Sequence, residues 1–130
     1  MSGLSGKLIF LSGAINLGFA AFHLMFWRVF DWSAELSSLS ADNSAIMQVL
    51  NLAIVFILMV AAYMAFFHRD DLVRTPLGRT LLVSWSLFWL LRGVNQIIFW
   101  GHSMQSITLA GVFILLFAIN AAPLYGKKNN

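Results

Sequence analysis

The stretch Ala45–Phe67, AIMQVLNLAIVFILMVAAYMAFF, carries no charged residue. A helix needs ~20 apolar residues to cross ~30 Å of hydrocarbon, and this stretch is long enough. Its polar members, Gln48 and Asn51, lie at i and i+3, a helical spacing. A barrel strand would instead alternate apolar and polar residues at every second position, which this stretch does not do. Backbone in lipid must satisfy its own hydrogen bonds, so the segment reads as a transmembrane helix.

Three further stretches repeat the pattern. Leu8–Trp27 forms the first span. The apolar run Thr80–Trp100 is preceded by Thr75-Pro76, an N-cap residue followed by proline at the first helical position. The third span therefore covers residues 76–101, with Gly101 suited to a C-cap. The fourth apolar run is Ile107–Tyr125, and a cap at Ser103 or Ser106 gives a span of about 104–125. Asp42 or Asn43 is the expected cap of the second span, and Pro123 and Gly126 close the fourth. The fold class expected is an all-α membrane protein, an antiparallel four-helix bundle forming one domain over residues 1–130. Between the first two spans, Trp32, Leu36 and Leu39 at i, i+4 and i+7 predict a short interfacial helix. Residues 68–79 join the second and third apolar runs, and up to Thr75 this connection reads as a loop.

Composition agrees. Of 130 residues, 60% are hydrophobic and 10% charged, against about a quarter charged in soluble domains. Cysteine is absent, which excludes disulfide frameworks, thiolate metal sites and thiol redox catalysis. No basic run suits nucleic acid. Six of the eight lysines and arginines (Lys7, Arg69, Arg74, Arg79, Lys127 and Lys128) fall on one side of a four-span topology. Arg28 stands alone on the other side, near Asp31, Glu35 and Asp42. The positive-inside rule then puts both termini in the cytoplasm, with a bacterial inner membrane the expected location. The first apolar run is too long and its start too weakly basic for a cleaved signal peptide, so it is read as retained.

The polar residues inside the spans carry the functional question. In this orientation His23, Gln48, Asn51, Arg92, Asn95, Gln96 and His102 fall in the outer half of the bilayer, with Asn16 near the middle. The other half holds little beyond Ser12, Ser84, Ser86 and Asn120. Arg92 is the strongest signal, because an arginine at that depth costs ~2.5–3.5 kcal/mol on insertion scales. No Asp or Glu lies within a span to offset the cost. The partner is expected among amides, histidine, backbone carbonyls, Asp31 or Glu35 of the loop, a lipid phosphate or an anionic ligand.

These residues predict a pocket built from His23, Asn51, Arg92, Asn95 and Gln96, with Asn16, Gln48 and His102 as secondary members. Arg92 would hold an anionic or amphiphilic small ligand or lipid headgroup, the amides would orient it, and His23 would accept or donate a proton. Two other readings compete. In one, the amides are glue between helices, and the chain is a structural or accessory subunit, a homodimer or part of a larger membrane complex. In the other, His23 and His102 ligate a haem iron axially, which would give the protein a Soret band. Zinc would need a third ligand from the loop carboxylates. No membrane-embedded glutamate is present to run proton exchange as in small four-helix multidrug exporters. The serines form no catalytic arrangement with histidine and carboxylate, so no catalytic residue is assigned. No cofactor is expected under the first two readings. Size and span count resemble small four-helix bacterial membrane proteins in architecture only.

Overall fold

The computed structural model describes residues 3–125. It is all-α, with no strand among the described residues. The helices are α1 (Gly3–Leu24), α2 (Phe26–Val29), α3 (Trp32–Glu35), α4 (Ala41–Phe67), α5 (Arg69–Arg74), α6 (Pro76–Trp100) and α7 (Met104–Ala121). Four segments are long and apolar enough to cross a membrane: α1, α4, α6, and α7 with its 3₁₀ extension to Tyr125. Their outward side chains are large and apolar, including Phe56, Phe67, Ile98 and Phe99. Such a surface aggregates in water and is at home in hydrocarbon.

The chain forms two compact units, residues 13–63 and residues 3–12 with 64–125. In the second unit, α6 and α7 run antiparallel, joined by the turn 101–103. Gly93 brings α6 against Ala110 and Phe113 of α7. Below them lies an apolar core of Ile9, Ala65, Leu72 and Leu82, flanked by Met64, Trp85 and Leu124. Beside this core the Ser12 hydroxyl donates to Asn120 Oδ1 at 2.8 Å. The Asn120 amide donates in turn to the Leu116 carbonyl, also at 2.8 Å. Both side chains are buried, and each meets a polar demand that lipid could not.

The helix ends follow their local chemistry. Thr75 caps α6 by accepting from the Gly78 amide at 2.9 Å, with Pro76 at the first helical position. Ser103 caps α7 by accepting from the Ser106 amide. The cap of α4 is Ser40, which accepts from the Asn43 amide, so Asp42 and Asn43 lie inside the first turn. Asp42 there faces the positive end of the helix dipole. Gly101 ends α6 with φ 69° and ψ −158°. Its φ is positive as expected, but its ψ lies outside the left-handed helical well, in a region open essentially to glycine. Gly101→Ala is expected to cost about 1–3 kcal/mol, read from unfolding in mixed micelles of rising denaturing-detergent content. Gly126, Lys127 and Lys128 lie outside the described residues.

The segment 68–79 is not all loop. Its first part is the six-residue helix α5, whose Leu72 is completely buried in the core. In the other unit, α1 stops at Leu24, where the Met25 amide turns back to the Phe22 carbonyl. Trp27, expected in the first span, therefore lies in α2. Asp31 takes a left-handed conformation at φ 44° and starts α3. Asparagine and aspartate tolerate that region better than most residues. Of the expected apolar stripe, Trp32 and Leu36 are buried and Leu39 is exposed. Trp32 meets the rings of Phe26 and Trp27 edge-on at 5.4 and 4.9 Å.

Candidate functional site

In the unit of residues 13–63, His23 and Asn51 are locked together. The His23 ring nitrogen Nδ1 lies 2.8 Å from Asn51 Oδ1. The Asn51 Nδ2 donates to the His23 backbone carbonyl at 3.0 Å. The second bond fixes the amide orientation, so the oxygen must face the ring and Nδ1 must carry a proton. The ring stacks on Phe26 at 4.4 Å. Gln48 turns back along α4 to the Ser44 carbonyl and hydroxyl at 3.2 and 3.3 Å. Asn16 is buried.

In the other unit, Arg92, Asn95 and Gln96 occupy one side of α6 at i, i+3 and i+4. The Arg92 guanidinium carbon sits 4.8 Å from the Phe113 ring centroid on α7 and 5.2 Å from the Trp100 centroid. Trp89, one turn earlier on α6, stacks on Phe113 at 5.7 Å. An aromatic face attracts a cation through its quadrupole, by about 0.5–2 kcal/mol according to solvation. It does not saturate the N–H donors of a guanidinium, which require oxygen acceptors.

Among the described residues, the side chains of Arg92, Asn95 and Gln96 make no hydrogen bond or ion pair. Gln96 is 4% exposed as a residue, and among the described residues no fully buried side-chain nitrogen or oxygen lacks a partner, so its amide is not sealed off. Its backbone carbonyl accepts from the Ser106 hydroxyl at 3.1 Å, which ties α7 to α6 at this level. Other polar side chains within the spans behave differently. Ser12 pairs with Asn120, His23 with Asn51, and Ser86 with the Leu82 carbonyl of its own helix.

The sequence singles out Arg92 and its two amide neighbours but not their aromatic frame. Trp100 and Trp89 stand eight residues after and three before Arg92, so a helical projection could have placed them nearby. Phe113 comes from another helix and leaves no local signal.

For a metal or haem, the donors are sparse. The tautomer fixed by Asn51 would present Nε2 of His23 as its ligating atom, in the manner of a histidine oriented by an outer hydrogen bond. His102 is exposed in the turn after α6. Among the described residues, no three histidine, cysteine or carboxylate side chains cluster as a metal site would require. The described residues do not make a zinc site. The chain matches no protein-family model, no curated protein and no solved structure.

Proposed function

We propose that this chain is an integral membrane binding protein for an anionic amphiphile or lipid headgroup, with Arg92 as the charge-reading residue. Asn95 and Gln96 orient the bound group with their amide donors and acceptors. The observation that carries this reading is the unpaired polar set on α6. An arginine, an asparagine and a glutamine share one helix side, and none hydrogen-bonds any described residue. Helix glue would have spent these amides between helices, as Ser12 and Asn120 are spent. A ligand oxygen supplies Gln96 and Arg92 together with an acceptor that hydrocarbon does not.

The ring contacts of Phe113 and Trp100 hold the guanidinium in place before a ligand arrives. His23 and Asn51 act in this reading as a clasp between α1 and α4, their mutual hydrogen bonds fixing the helices that carry them. The distribution of Lys7, Arg69, Arg74 and Arg79 supports cytoplasmic termini, with Lys127 and Lys128 adding to the bias. That orientation opens the Arg92 site toward the outer leaflet of a bacterial inner membrane.

Mass spectrometry of small molecules retained after purification in mild detergent tests this reading. The wild-type chain is expected to carry an anionic amphiphile, and Arg92→Ala to carry less of it while purifying in equal yield. An unchanged amount in Arg92→Ala would remove Arg92 from the site. Copurification of a larger membrane protein without any small molecule would favour the accessory-subunit reading, which the aromatic packing of Arg92 also fits.

A further inference from the structure

A second basic side chain stands at the opposite end of α6, in a setting of its own. Arg79, Thr80, Val83 and Ser84 of α6, with Leu124 and Tyr125 after α7, line an open groove of about 490 Å³. Arg79 is anchored at its rim, where Nη2 donates to the Leu124 carbonyl at 3.2 Å. That bond uses one edge of the guanidinium and leaves its other N–H donors facing outward. Tyr125 is 86% exposed beside it, and its hydroxyl is a second donor at the rim. The hydroxyls of Thr80 and Ser84 already donate to the Pro76 and Thr80 carbonyls of their own helix. Among the side chains lining the groove, the donors left to an incoming anion are therefore those of Arg79 and Tyr125.

The groove continues into an apolar track. Arg79, Val83, Leu87 and Leu91 follow one another at i+4 steps, and the three aliphatic members are exposed. The row is ~18 Å long at ~1.5 Å per residue, slightly more than the ~15 Å that is half of a ~30 Å hydrocarbon core. One end of this surface offers a cation and a hydroxyl donor, and the rest matches a single leaflet in length and polarity. We propose that this groove binds an anionic phospholipid, with its phosphate on Arg79 and Tyr125 and an acyl chain along Val83, Leu87 and Leu91. The site is independent of the one on Arg92. A zwitterionic lipid gains less here, because its ammonium group would sit beside the Arg79 charge.

Native mass spectrometry of the full chain in a neutral detergent tests the proposal. The chain is titrated separately with a phosphatidylglycerol, with a phosphatidylcholine of the same acyl chains, and with inorganic phosphate. The wild type is expected to retain the phosphatidylglycerol about fivefold more than the phosphatidylcholine and to retain no free phosphate. Arg79→Gln should abolish that preference, Arg79→Lys should keep most of it, and Arg74→Gln should leave it intact. Arg92→Ala should leave the Arg79-dependent part unchanged, which separates this site from the other. Equal retention of the two lipids, or a preference that survives Arg79→Gln, would overturn the proposal. Retention of inorganic phosphate without a lipid preference would also overturn it, in favour of a free-anion site. If Arg79→Gln does not fold, Tyr125→Phe decides, because an 86% exposed ring carries little packing. It should reduce the preference, and an unchanged preference would contradict the site.

Discussion

Gly78→Ala is expected to destabilise the protein by about 3 kcal/mol or more, although alanine is the better helix former. On an exposed helix the same change would stabilise by about 1 kcal/mol through propensity. At Gly78 the sign reverses. An added Cβ would overlap the Asp71 carbonyl oxygen and crowd the Leu72 Cα, both backbone atoms of α5. Backbone cannot swing aside as a flexible side chain can. The obstructed carbonyl is also in use, since it accepts from the Thr75 amide at 3.0 Å and from the Thr75 hydroxyl at 2.8 Å. Relieving the overlap would break the turn that caps α6. The prediction is checked by the thermal midpoint in a mild detergent, with Gly111→Ala as the control. A Cβ at Gly111 meets nothing within 4 Å, so that variant should be neutral or slightly stabilised.

Leu72→Ala should cost about 2–5 kcal/mol. Leu72 is the most deeply buried residue of a helix whose other members, apart from Val73, are charged, and it packs with Ile9, Ala65 and Leu82. Few of its neighbours can collapse into the space, because Ala65 is small and Leu82 is held within α6. α5 has no other fully buried side chain, so the substitution should also release it locally. Hydrogen exchange at residues 69–75 would then rise well above that of α6. A loss below about 0.5 kcal/mol would mean that α5 contributes little to the core.

Both effects involve a segment whose structure was least legible in the sequence. Arg69–Arg74 reads RDDLVR, too short for a helical period and too charged to attract attention. Its conformation is dictated by one leucine finding a core assembled from α1, α4 and α6, which is tertiary information. The four long helices were legible because lipid leaves few solutions for a backbone. Their starts were legible where one residue type was decisive, as at Thr75-Pro76. At the start of α4 the sequence pointed to Asp42 or Asn43, while Ser40, an equally good cap former two residues earlier, takes the position. Helix α1 begins at Gly3 rather than Leu8 because the residues before the apolar run are helical without being strongly hydrophobic.

The site divides in the same way. Arg92 announced itself because a charge inside a span is rare and costly. Asn95 and Gln96 followed from helical spacing. Their lack of hydrogen-bond partners among the described residues is a three-dimensional fact, as is the pairing of Ser12 with Asn120 across the length of the chain. The reciprocal bonds between His23 and Asn51 were equally invisible, since Asn51 carries the same residue type whether it reads a ligand or clasps a neighbouring helix.

If the polar side of α6 binds a ligand rather than holding helices together, binding and stability should respond separately in two variants, Arg92→Ala and Asn120→Leu. Binding is followed by titration with an alkyl phosphate against a zwitterionic amphiphile of equal chain length, and stability by the thermal midpoint. Arg92→Ala should weaken the Arg79-independent part of alkyl phosphate binding at least about tenfold, the loss of one charge-assisted contact, while its midpoint barely moves. Asn120→Leu should do the reverse, lowering the midpoint and leaving binding intact. A fall in the midpoint of Arg92→Ala with alkyl phosphate affinity unchanged would contradict the claim and make Arg92 a structural residue.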